Sequence, residues 1–512
     1  MKKFLQDNWE FILLFLILVL ASILRFYKID QYMTFLGDEG RDAIAVKRMV
    51  VDLKPRLIGP VTSIGNMYLG PLYYYFIAPS MLIGNLSPVS LAAFVAMIGV
   101  ITVGLVWMTA REWFGKFAGI CSSFLFAISP VVIIYSRSSW NPNVMPFFAI
   151  LTAWGVYQVW VKRNYLWLLG LGVTLSFATQ SHYLGILLIP FAALFGALAF
   201  IELVRKKKPL KKFVFLSLGA IGIFLTLTVA PLVWFDLRHG FINLNAFKAF
   251  FTVRQETVNL KVYKALPGLW ELATQFVSRV LTAKNDFFGK WFLSGLSLAL
   301  ASFAFLGIKR KNFKNFINQE KGLIIVLAWL FIGLLGLGNY KQHIYDHYFG
   351  FLYPAIFLFL GWILTKLWDL KLGGKVFTLA VVLLLTFLSV SESPLKYPPN
   401  NQLEKTKAIA RLIAEKAEGK PFNLGLIAEC NYDDSYNFFL EIWEEPVVEI
   451  EALRAEETIT DQLFVICEKL PCEPPNAPQA EIANFGWSKI VDEWEVKGIK
   501  IYKLTHSLGN EN

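Results

Sequence analysis

Charged residues are almost absent from a series of long apolar stretches in this chain and crowd into the segments between them. A helix needs about 20 apolar residues to cross the hydrocarbon core of a bilayer. In lipid, only helices and closed barrels satisfy all their backbone hydrogen bonds. Asp, Glu, Lys and Arg make up 17% of the 512 residues, whereas soluble domains carry about 25%. The sequence therefore predicts an α-helical polytopic membrane protein.

The apolar stretches predict about eleven transmembrane helices. They lie at residues 11–27, 89–110, 117–136, 144–161, 165–181, 184–201, 213–235, 291–308, 323–338, 348–365 and 376–391. The first stretch has the composition of a signal peptide, but no small-residue cleavage site follows it. We therefore interpret it as a retained span.

Basic residues concentrate in every second short loop, which predicts the orientation. The loops rich in Lys and Arg contain Arg111, Lys116, Lys162, Arg163, 205–208, Lys211, Lys212, 309–311, Lys314, Lys366, Lys371 and Lys375. The intervening short loops contain only Arg137 and Lys341. Because basic loops remain in the cytoplasm, we expect a cytoplasmic N-terminus in the cell (inner) membrane. The net charge of +11 is then a topology signal, and no nucleic-acid partner is expected.

Two long loops, 28–88 and 236–290, fall on the predicted outer side. The first loop contains an amphipathic stretch from Asp38 to Val51 and an aromatic stretch from Leu69 to Met81. The second contains Pro267 to Leu281, in which a proline is well placed to begin a helix. All three stretches predict helices along the membrane surface.

Residues 393–512 have the composition of a soluble protein, so we expect a transmembrane domain over 1–392 and a small α/β domain over 393–512 on the outer face. The predicted elements of the small domain are a helix at Lys405–Ala417 and strands at Phe422–Ile427, Leu463–Cys467 and Lys500–Leu504. Cys467 and Cys472 are close enough in sequence to form a disulfide in an oxidising compartment, or to remain buried thiols.

The predicted spans lack Asp, Glu, Lys and Arg in their interiors, which argues against ion-coupled transport because transporters need ionisable groups at mid-membrane depth. Polar residues instead gather at span ends that the topology assigns to one face. They are Asp38, Glu39, Arg41, Asp42, Arg137, Trp140, Asn141, Gln180, His182, Asp236, Arg238, His239, His343, Asp346, His347 and Tyr348. Four of the five histidines belong to this set. This convergence predicts a functional site at that face.

Four short motifs in this region resemble those of a known family. Residues 35–43 read FLGDEGRDA, and residues 70–75 read GPLYYY. The segments 129–137 and 347–354 match in kind and order. Over roughly residues 1–390 the chain resembles the GT-C glycosyltransferases of the protein-mannosyltransferase and aminoarabinose-transferase branch. The chain differs from many of these at residues 140–143, which read WNPN where relatives have an acidic residue.

The resemblance implies transfer of a sugar from a polyprenyl-phosphate carrier to an acceptor on the outer face, with inversion at the sugar carbon. It implies that Asp38 is the base that takes the acceptor proton, with Glu39 as its supporting neighbour. Cationic or polar groups would hold the carrier phosphate and the substrate. The candidates are Arg41, Arg137, Asn141, His182, Arg238, His239, His343, His347 and Tyr348. A divalent cation is compatible with the acidic pair but is not required.

Several candidates also have a purely structural interpretation, which the sequence leaves open. Asp38 suits the N-cap of a surface helix, where Glu39 would be favoured by the helix dipole. Arg41 suits an ion pair with Asp38 or Asp42. His182, at a span end, suits a hydrogen-bonded interfacial histidine.

Four segments are open in the same way. Residues 140–143 suit a turn, and residues 236–239 suit a cluster that orders the loop. Residues 343–347 contain two histidines and an aspartate at the spacing of a helical metal site. Tyr73–Tyr75 suit either an aromatic belt at the membrane interface or a platform on which a sugar stacks.

Two other classes of function compete with the transferase. A lipid-carrier flippase or polysaccharide exporter would make no bond, but it needs a polar path that the apolar spans do not supply. A membrane scaffold needs fewer spans than this chain has. The partners expected for the transferase are a polyprenyl-phosphate-linked sugar and membrane lipids, and the acceptor is a protein, a lipid or a glycan.

Overall fold

The computed structural model describes residues 2–62, 67–252, 258–259, 261–311 and 313–507. Within these residues, seven helical segments are long and apolar enough to cross a membrane. They are Asn8–Phe26, Pro88–Phe114, Tyr183–Arg205, Lys211–Arg238, Asp286–Lys309, Asp346–Trp368 and Leu372–Ser391. The four remaining predicted spans coincide with shorter helices. The predicted class, an α-helical polytopic membrane protein, is confirmed.

Nineteen α-helices are described up to residue 391. They are α1 Lys2–Phe26, α2 Ile29–Tyr32, α3 Gly37–Val50, α4 Leu72–Ile83, α5 Pro88–Phe114, α6 Lys116–Ile128, α7 Pro130–Tyr135, α8 Met145–Trp160, α9 Trp167–Ser181, α10 Leu188–Arg205, α11 Lys211–Phe224, α12 Ala230–Arg238, α13 Ile242–Thr252, α14 Leu269–Val280, α15 Asp286–Lys311, α16 Phe313–Gln319, α17 Lys321–Leu337, α18 Tyr353–Trp368 and α19 Leu372–Ser391. A π-helical turn at Leu225–Val229 joins α11 to α12. Single turns of 3-10 helix precede α8, α10, α14 and α18.

Helix α18 lies at the centre of the bundle. Of the residues in the 18-residue apolar stretch of its span, 94% are buried inside the protein. The corresponding share is 6% for the span of α15 and 11% for the span Lys211–Arg238. A helix that is apolar all round and buried belongs to the core, whereas an apolar but exposed one faces lipid. Helices α11, α12 and α15 therefore form the lipid-facing periphery.

Ion pairs tie together the loops that the sequence predicts to be basic. Glu10, which is buried, pairs with Arg111 and lies 3.6 Å from the Nζ of Lys116. At the same end of the bundle the Nζ of Lys162 lies 2.5 Å from Glu112. We call this end the lysine face, and it comprises the helix ends and loops around Glu10, 111–116, 162–165, 202–212 and 366–375.

The polar residues predicted to converge lie at the opposite end of the bundle. The Nη1 of Arg137 donates to the carbonyl of Leu24 at 2.6 Å. The Nδ2 of Asn141 donates to the carbonyl of Ser181, also at 2.6 Å. We call this end the Asp38 face. It comprises α2 to α4, residues 135–144 and 180–184, and residues 339–353.

Helices are present in both long loops at the stretches where the sequence predicts them. In the first loop, α3 covers the stretch predicted from Asp38 to Val51, and α4 covers most of the aromatic stretch. In the second, α14 begins at Leu269, just after the proline that was expected to start it. Of the three tyrosines of α4, Tyr73 and Tyr74 are 1% and 3% exposed and only Tyr75 is exposed, so the three do not form a continuous exposed belt.

Residues 402–506 form the small α/β unit that the sequence predicts, here called the C-terminal unit. Its helices are α20 Gln402–Ala417, α21 Asp434–Ile442, α22 Ala455–Thr458 and α23 Ala480–Phe485, and its strands are β1 Asn423–Ile427, β2 Gln462–Cys467, β3 Ser488–Val496 and β4 Ile499–His506. The sheet order is β1-β2-β4-β3. Strands β1 and β2 are parallel, and the other pairs are antiparallel. Cys467 and Cys472 are joined by a disulfide.

The C-terminal unit packs directly on the first loop through α21 and α3. The ring of Phe35 lies 5.5 Å and 5.8 Å from the rings of Phe438 and Phe439. At the far end of α3, the Nη2 of Arg48 lies 2.7 Å from the carboxylate of Glu441. The two helices approach so closely that a Cβ on Gly40 would lie 2.3 Å from the backbone nitrogen of Ser435. This contact fixes the start of α3 against the C-terminal unit.

Candidate active site

A cavity of about 380 Å³ opens at the Asp38 face, between the bundle and the C-terminal unit. The first loop contributes Tyr32, Thr34, Leu36, Gly37, Asp38 and Glu39; the bundle contributes Ile134, Tyr135, Arg137, Ser138 and Trp140; and the C-terminal side contributes Pro394, Cys430, Asn431 and Tyr432. A cavity of this size accommodates a small ligand. Its wall combines a carboxylate, aromatic rings and polar groups, which are the groups that recognise a sugar.

Asp38 lies in the first turn of α3 and is partly open to the cavity. Its carboxylate oxygen lies 2.6 Å from the Nη1 of Arg41, and 36% of the side chain is exposed. Arg41 also donates two hydrogen bonds to Asp42, at 3.1 and 2.8 Å. The ion pairs proposed for Arg41 are therefore both present. They hold the Asp38 carboxylate in place and leave its second oxygen free of that pair.

Asp42 is the buried member of this ion-pair group. Its side chain is fully buried, and the hydroxyl of Tyr74 donates to it at 3.2 Å. Burial raises the pKa of Asp42 to about 7, although Arg41 opposes the rise. The charge of Asp42, which lies one helical turn after Asp38, is therefore sensitive to pH.

Glu39 caps α3. It is 5% exposed, and its carboxylate accepts from the hydroxyl of Thr34 at 2.7 Å and from the backbone N–H of Leu36 at 3.1 Å. Leu36 is the N-cap residue, so the expectation that Asp38 would occupy that position is wrong. Burial raises the pKa of Glu39, and these hydrogen bonds oppose the rise. Glu39 therefore fixes the helix start that presents Asp38.

Arg137 lines the cavity, but its two terminal nitrogens are occupied. They donate to the carbonyls of Leu24 and Tyr27, both at 2.6 Å, and the guanidinium lies over the ring of Tyr32. These carbonyls belong to the end of α1, where helix carbonyls lack partners in the helix itself. Arg137 therefore joins α1 to the cavity wall.

His347 lies behind the aromatic wall of the cavity. Its ring lies 4.4 Å from the ring of Trp140 and 5.9 Å from the ring of Tyr135, two residues that line the cavity. On its other side are His182 at 5.7 Å and Tyr348 at 4.7 Å. The structure thus brings His182, His347 and Tyr348 into one cluster next to the Asp38 cavity.

His182 is buried and is engaged by the backbone. Its Nδ1 accepts from the N–H of Leu184 at 3.3 Å. Burial, together with the neighbouring His347, lowers the pKa of His182 well below its usual value. Burial therefore favours the neutral imidazole, whose Nδ1 accepts the backbone hydrogen bond.

Two cations that were not among the sequence candidates lie beside this cluster. The Nη1 of Arg279 and the Nζ of Lys284 lie 3.2 and 3.1 Å from the carboxylate of Asp346, the residue before His347. Both come from the end of α14 and the turn after it. Sequence reasoning missed them because a surface helix in a long loop gives no signal of which bundle end it contacts.

Some of the predicted site residues lie away from the cavity. The guanidinium of Arg238 lies over the ring of Trp234, and His239 stacks on Phe235 with its Nδ1 2.8 Å from the carbonyl of that residue. Both side chains are exposed, and neither lines the cavity around Asp38. Asp236, two residues before Arg238, accepts backbone hydrogen bonds from Asn243 and Leu244 at the start of α13, as expected for a cluster that orders the loop.

The polar residues at the ends of α8 and α9 have structural partners. Asn141 begins a 3-10 turn, Asn141–Val144, and donates to Ser181. Gln180 accepts from the backbone of Leu72 at 3.1 Å and donates to the carbonyl of Leu227 at 3.0 Å. These two side chains therefore hold the helix ends that surround the site.

No group of three or more His, Cys, Asp or Glu side chains that could hold a metal ion occurs in the described part of the chain. The expected trio within residues 343–347 does not assemble. His343 is exposed and contacts the ring of Tyr345, while Asp346 is paired with Arg279 and Lys284.

The wall contributed by the C-terminal unit was not anticipated. The Oδ1 of Asn431 accepts from the backbone N–H of Gly37 at 2.9 Å. Its Nδ2 donates to both oxygens of Glu468, at 3.0 and 3.1 Å. Since Glu468 follows the disulfide-bonded Cys467, the Asn431 amide links β2 to the residue that precedes Asp38.

Comparisons with known proteins find a family model and solved structures that are similar to this chain. Residues 69–234 match the family model of dolichyl-phosphate-mannose-protein mannosyltransferase. No curated protein matches the chain by sequence. The structure is similar to that of ArnT from Cupriavidus metallidurans bound to undecaprenyl phosphate, with a TM-score of 0.60 and 14% identity over 97% of this chain and 98% of that one. It is also similar to the archaeal oligosaccharyltransferase AglB from Archaeoglobus fulgidus in complex with an inhibitory peptide and a dolichol-phosphate, with a TM-score of 0.53 and 13% identity over 90% of this chain and 70% of that one.

The chain is thus a polytopic membrane protein with the fold of the GT-C glycosyltransferases, and the resemblance inferred from its motifs is confirmed at the level of the fold. The family-model match covers α4 and the helices that follow it as far as α12. The motif around Asp38 lies before the matched region, so the role of Asp38 is argued from geometry.

Proposed function

We propose that this chain transfers a sugar from a polyprenyl-phosphate carrier to an acceptor hydroxyl or amine, with Asp38 as the base. The observation that carries the proposal is the position of Asp38. Its carboxylate opens into the cavity between the outer ends of the helices and the C-terminal unit. The fold agrees, since similar structures hold undecaprenyl phosphate and dolichol-phosphate.

In the proposed step, the acceptor oxygen or nitrogen attacks the sugar carbon that is bonded to the phosphate. The bond between that carbon and the phosphate oxygen breaks, and the phosphate leaves with the electron pair. Asp38 takes the proton of the acceptor. Attack from the side opposite the phosphate inverts the configuration at the sugar carbon.

The carrier phosphate needs cations where its negative charge develops. Arg41, next to the Asp38 carboxylate, is already engaged by two carboxylates, and Arg137, which lines the cavity, is engaged by carbonyls. We therefore propose that Arg279 and Lys284 contact the phosphate, together with His347. The pair is held by the single carboxylate of Asp346, so two cations share one anion there.

We propose that the Asp38 face lies outside the cell membrane, with the N-terminus in the cytoplasm. Two observations support this orientation. The lysine face collects the basic loops, as cytoplasmic loops do. The disulfide between Cys467 and Cys472 suits an oxidising compartment. The C-terminal unit, which packs on α3, would then lie outside as a separate soluble domain of residues 393–512.

The test is turnover of a polyprenyl-phosphate sugar by the purified protein in detergent, without a membrane gradient. We expect release of the carrier phosphate and loss of that release in Asp38→Asn, by about a hundredfold or more. Asp30→Asn is the matched control, because Asp30 is an exposed aspartate of the same loop and does not line the cavity. Near-normal turnover by Asp38→Asn would exclude Asp38 as the base. A protein that consumes no sugar donor but moves the carrier across a bilayer would be a flippase.

A further inference from the structure

A second cavity, of about 460 Å³, lies on the lysine face, far from the chemistry proposed above. It is enclosed by the loop before α9, the end of α10 and the start of α11. Its lining consists of Arg163, Tyr165, Glu202, Leu203, Lys206, Lys208, Pro209 and Lys212. Four of these eight residues are cations, and one is an anion, so the cavity is strongly basic.

The single carboxylate does not neutralise this charge. Glu202 pairs with Arg163 and with the Nζ of Lys206, the latter at 2.7 Å. Neither Lys208 nor Lys212 contacts a carboxylate within the described residues. Glu202 therefore holds Arg163 and Lys206 in place through ion pairs. Lys208 and Lys212 remain available to an anionic ligand.

One nitrogen of the Arg163 guanidinium lacks a hydrogen-bond partner within the described residues. Its Nη1 is buried and has no hydrogen-bond partner in the described structure. The residue's φ of +60° belongs to the left-handed turn that follows the end of α8, in which the N–H of Asn164 donates to the carbonyl of Gln158. An anionic oxygen in the cavity would satisfy the buried donor.

The surroundings of the cavity are apolar, which distinguishes a lipid from a soluble anion. Leu203, Pro209 and the ring of Tyr165 line it. The neighbouring faces of α10 and α11 are apolar and exposed, with Ile201 at 43% and Phe215 at 73%. These faces lie within the predicted spans, where acyl chains would contact them.

We propose that this cavity binds the phosphate headgroup of an anionic phospholipid, with the phosphate beside Arg163, Lys208 and Lys212 and the acyl chains along α10 and α11. The alternative for such a loop is a basic run that only sets topology. The cavity and the buried unpartnered nitrogen go beyond what topology requires. Juxtamembrane lysines and arginines attract anionic lipid, and each contributes measurably to binding.

The test measures binding of phosphatidylglycerol and phosphatidylcholine to the purified full-length protein by native mass spectrometry, with Tm shifts as a second readout. We expect phosphatidylglycerol to bind more tightly and to raise Tm. The double variant Lys208→Gln/Lys212→Gln should weaken that binding about tenfold. The matched control is Lys371→Gln/Lys375→Gln, which removes the same charge from another loop of the lysine face and should bind as the unmodified protein does.

Two results would overturn the proposal. One is equal loss of binding in both double variants, which would mean that only total charge matters. The other is binding of soluble glycerol phosphate as tightly as the lipid, which would make the ligand a free phosphate. Because Lys208 and Lys212 are exposed, we expect the double variant to fold; Lys208→Gln alone repeats the measurement with a smaller change.

Discussion

The Oδ1 of Asn431 accepts a hydrogen bond of 2.9 Å from the backbone N–H of Gly37, the residue before Asp38. Asn431 also accepts from the N–H of Tyr432 and donates to the carboxylate of Glu468. The amide can make these bonds in only one orientation, because a carboxylate accepts and an N–H donates. The C-terminal unit therefore holds the start of the helix that carries the proposed base.

Asn431→Asp should lower turnover while leaving binding of the carrier phosphate nearly unchanged. The new carboxylate faces that of Glu468 and loses both donated hydrogen bonds, so the residue is repelled from its position. Loss of a buried hydrogen bond to a charged group costs about 1–3 kcal/mol. We expect kcat to fall about tenfold and the Kd for undecaprenyl phosphate to change less than twofold.

Asn476→Asp is the control for that change, since Asn476 is an exposed asparagine of the same unit. It adds the same charge and should keep normal kcat. If both variants lose the same activity, added negative charge is responsible, and Asn431 is not a positioning residue.

Gly40→Ala should separate the C-terminal unit from α3. In the middle of a helix, replacing glycine by alanine normally stabilises by about 0.5–1 kcal/mol. Here the added Cβ would lie 2.3 Å from the nitrogen and 2.5 Å from the Cα of Ser435, so the backbone of α21 must move. Overpacking of this kind costs about 1–3 kcal/mol. We expect a lower Tm and faster proteolysis between residues 393 and 402.

Gly295→Ala tests whether any glycine replacement has this effect. Nothing lies within 4 Å of a Cβ on Gly295, in the middle of the lipid-facing helix α15. Its Tm should stay the same or rise. If Gly40→Ala leaves Tm and the rate of proteolysis unchanged, α21 can move away from α3 without loss of stability, and the prediction is wrong.

The positions of the spans and of the residues that meet at one face were predictable, because lipid excludes charge along the whole length of each span. Arg137, Asn141, His182 and His347 lie at the ends of spans, and the order of the spans sorts them to the same face. Their partners were not predictable. Both terminal nitrogens of Arg137 are taken up by carbonyls of α1, which no local pattern indicates.

The roles of two residues in the first loop depended on exact helix ends. Glu39 accepts a hydrogen bond from the backbone N–H of the N-cap residue Leu36, which is half of a capping box, because the leucine side chain has no acceptor to return it. The usual sequence signature has Ser, Thr, Asp or Asn at the N-cap, so the motif was not recognised. Because the N-cap of α3 lies two residues before Asp38, which suited that position, Asp38 lies in the first turn.

The C-terminal wall of the cavity could not be predicted from local sequence. Asn431 lies between a strand and α21, in a segment with no apolar periodicity. Strand β3 was missed for a related reason, since most of its residues are exposed. Long loops were equally uninformative: Arg238 and Arg279 belong to the same loop, yet only Arg279 contacts Asp346.

Asp42 should make the protein less stable as the pH rises from about 4 to about 7. Burial raises its pKa from 3.8 to about 7. The unfolded chain therefore loses the proton first, and the stability present below the unfolded pKa is lost as the pH rises through the folded pKa. Asp42→Asn should flatten the dependence of Tm on pH over this window.

In the Asp42→Asn variant, part of the dependence of Tm on pH should remain, because other carboxyl groups also have raised pKa values. Burial also raises the pKa of Asp434 to about 7 and that of Asp433 to about 6, so both act in the same direction. The exposed Asp461→Asn is the control and should leave the slope of Tm against pH as it is. An unaltered slope in Asp42→Asn would show that Asp42 is ionised in the folded protein at lower pH.

Cys430 provides a native probe of both orientation and cavity occupancy. It is exposed and lines the cavity, whereas Cys121 is buried and Cys467 is bonded to Cys472. A membrane-impermeant maleimide should therefore label intact spheroplasts at Cys430, and Cys430→Ser should abolish the label. Undecaprenyl phosphate should slow the reaction several-fold in detergent if the carrier reaches this cavity. Labelling that occurs only after the membrane is permeabilised would place the Asp38 face in the cytoplasm, and the proposed external transfer would then be wrong.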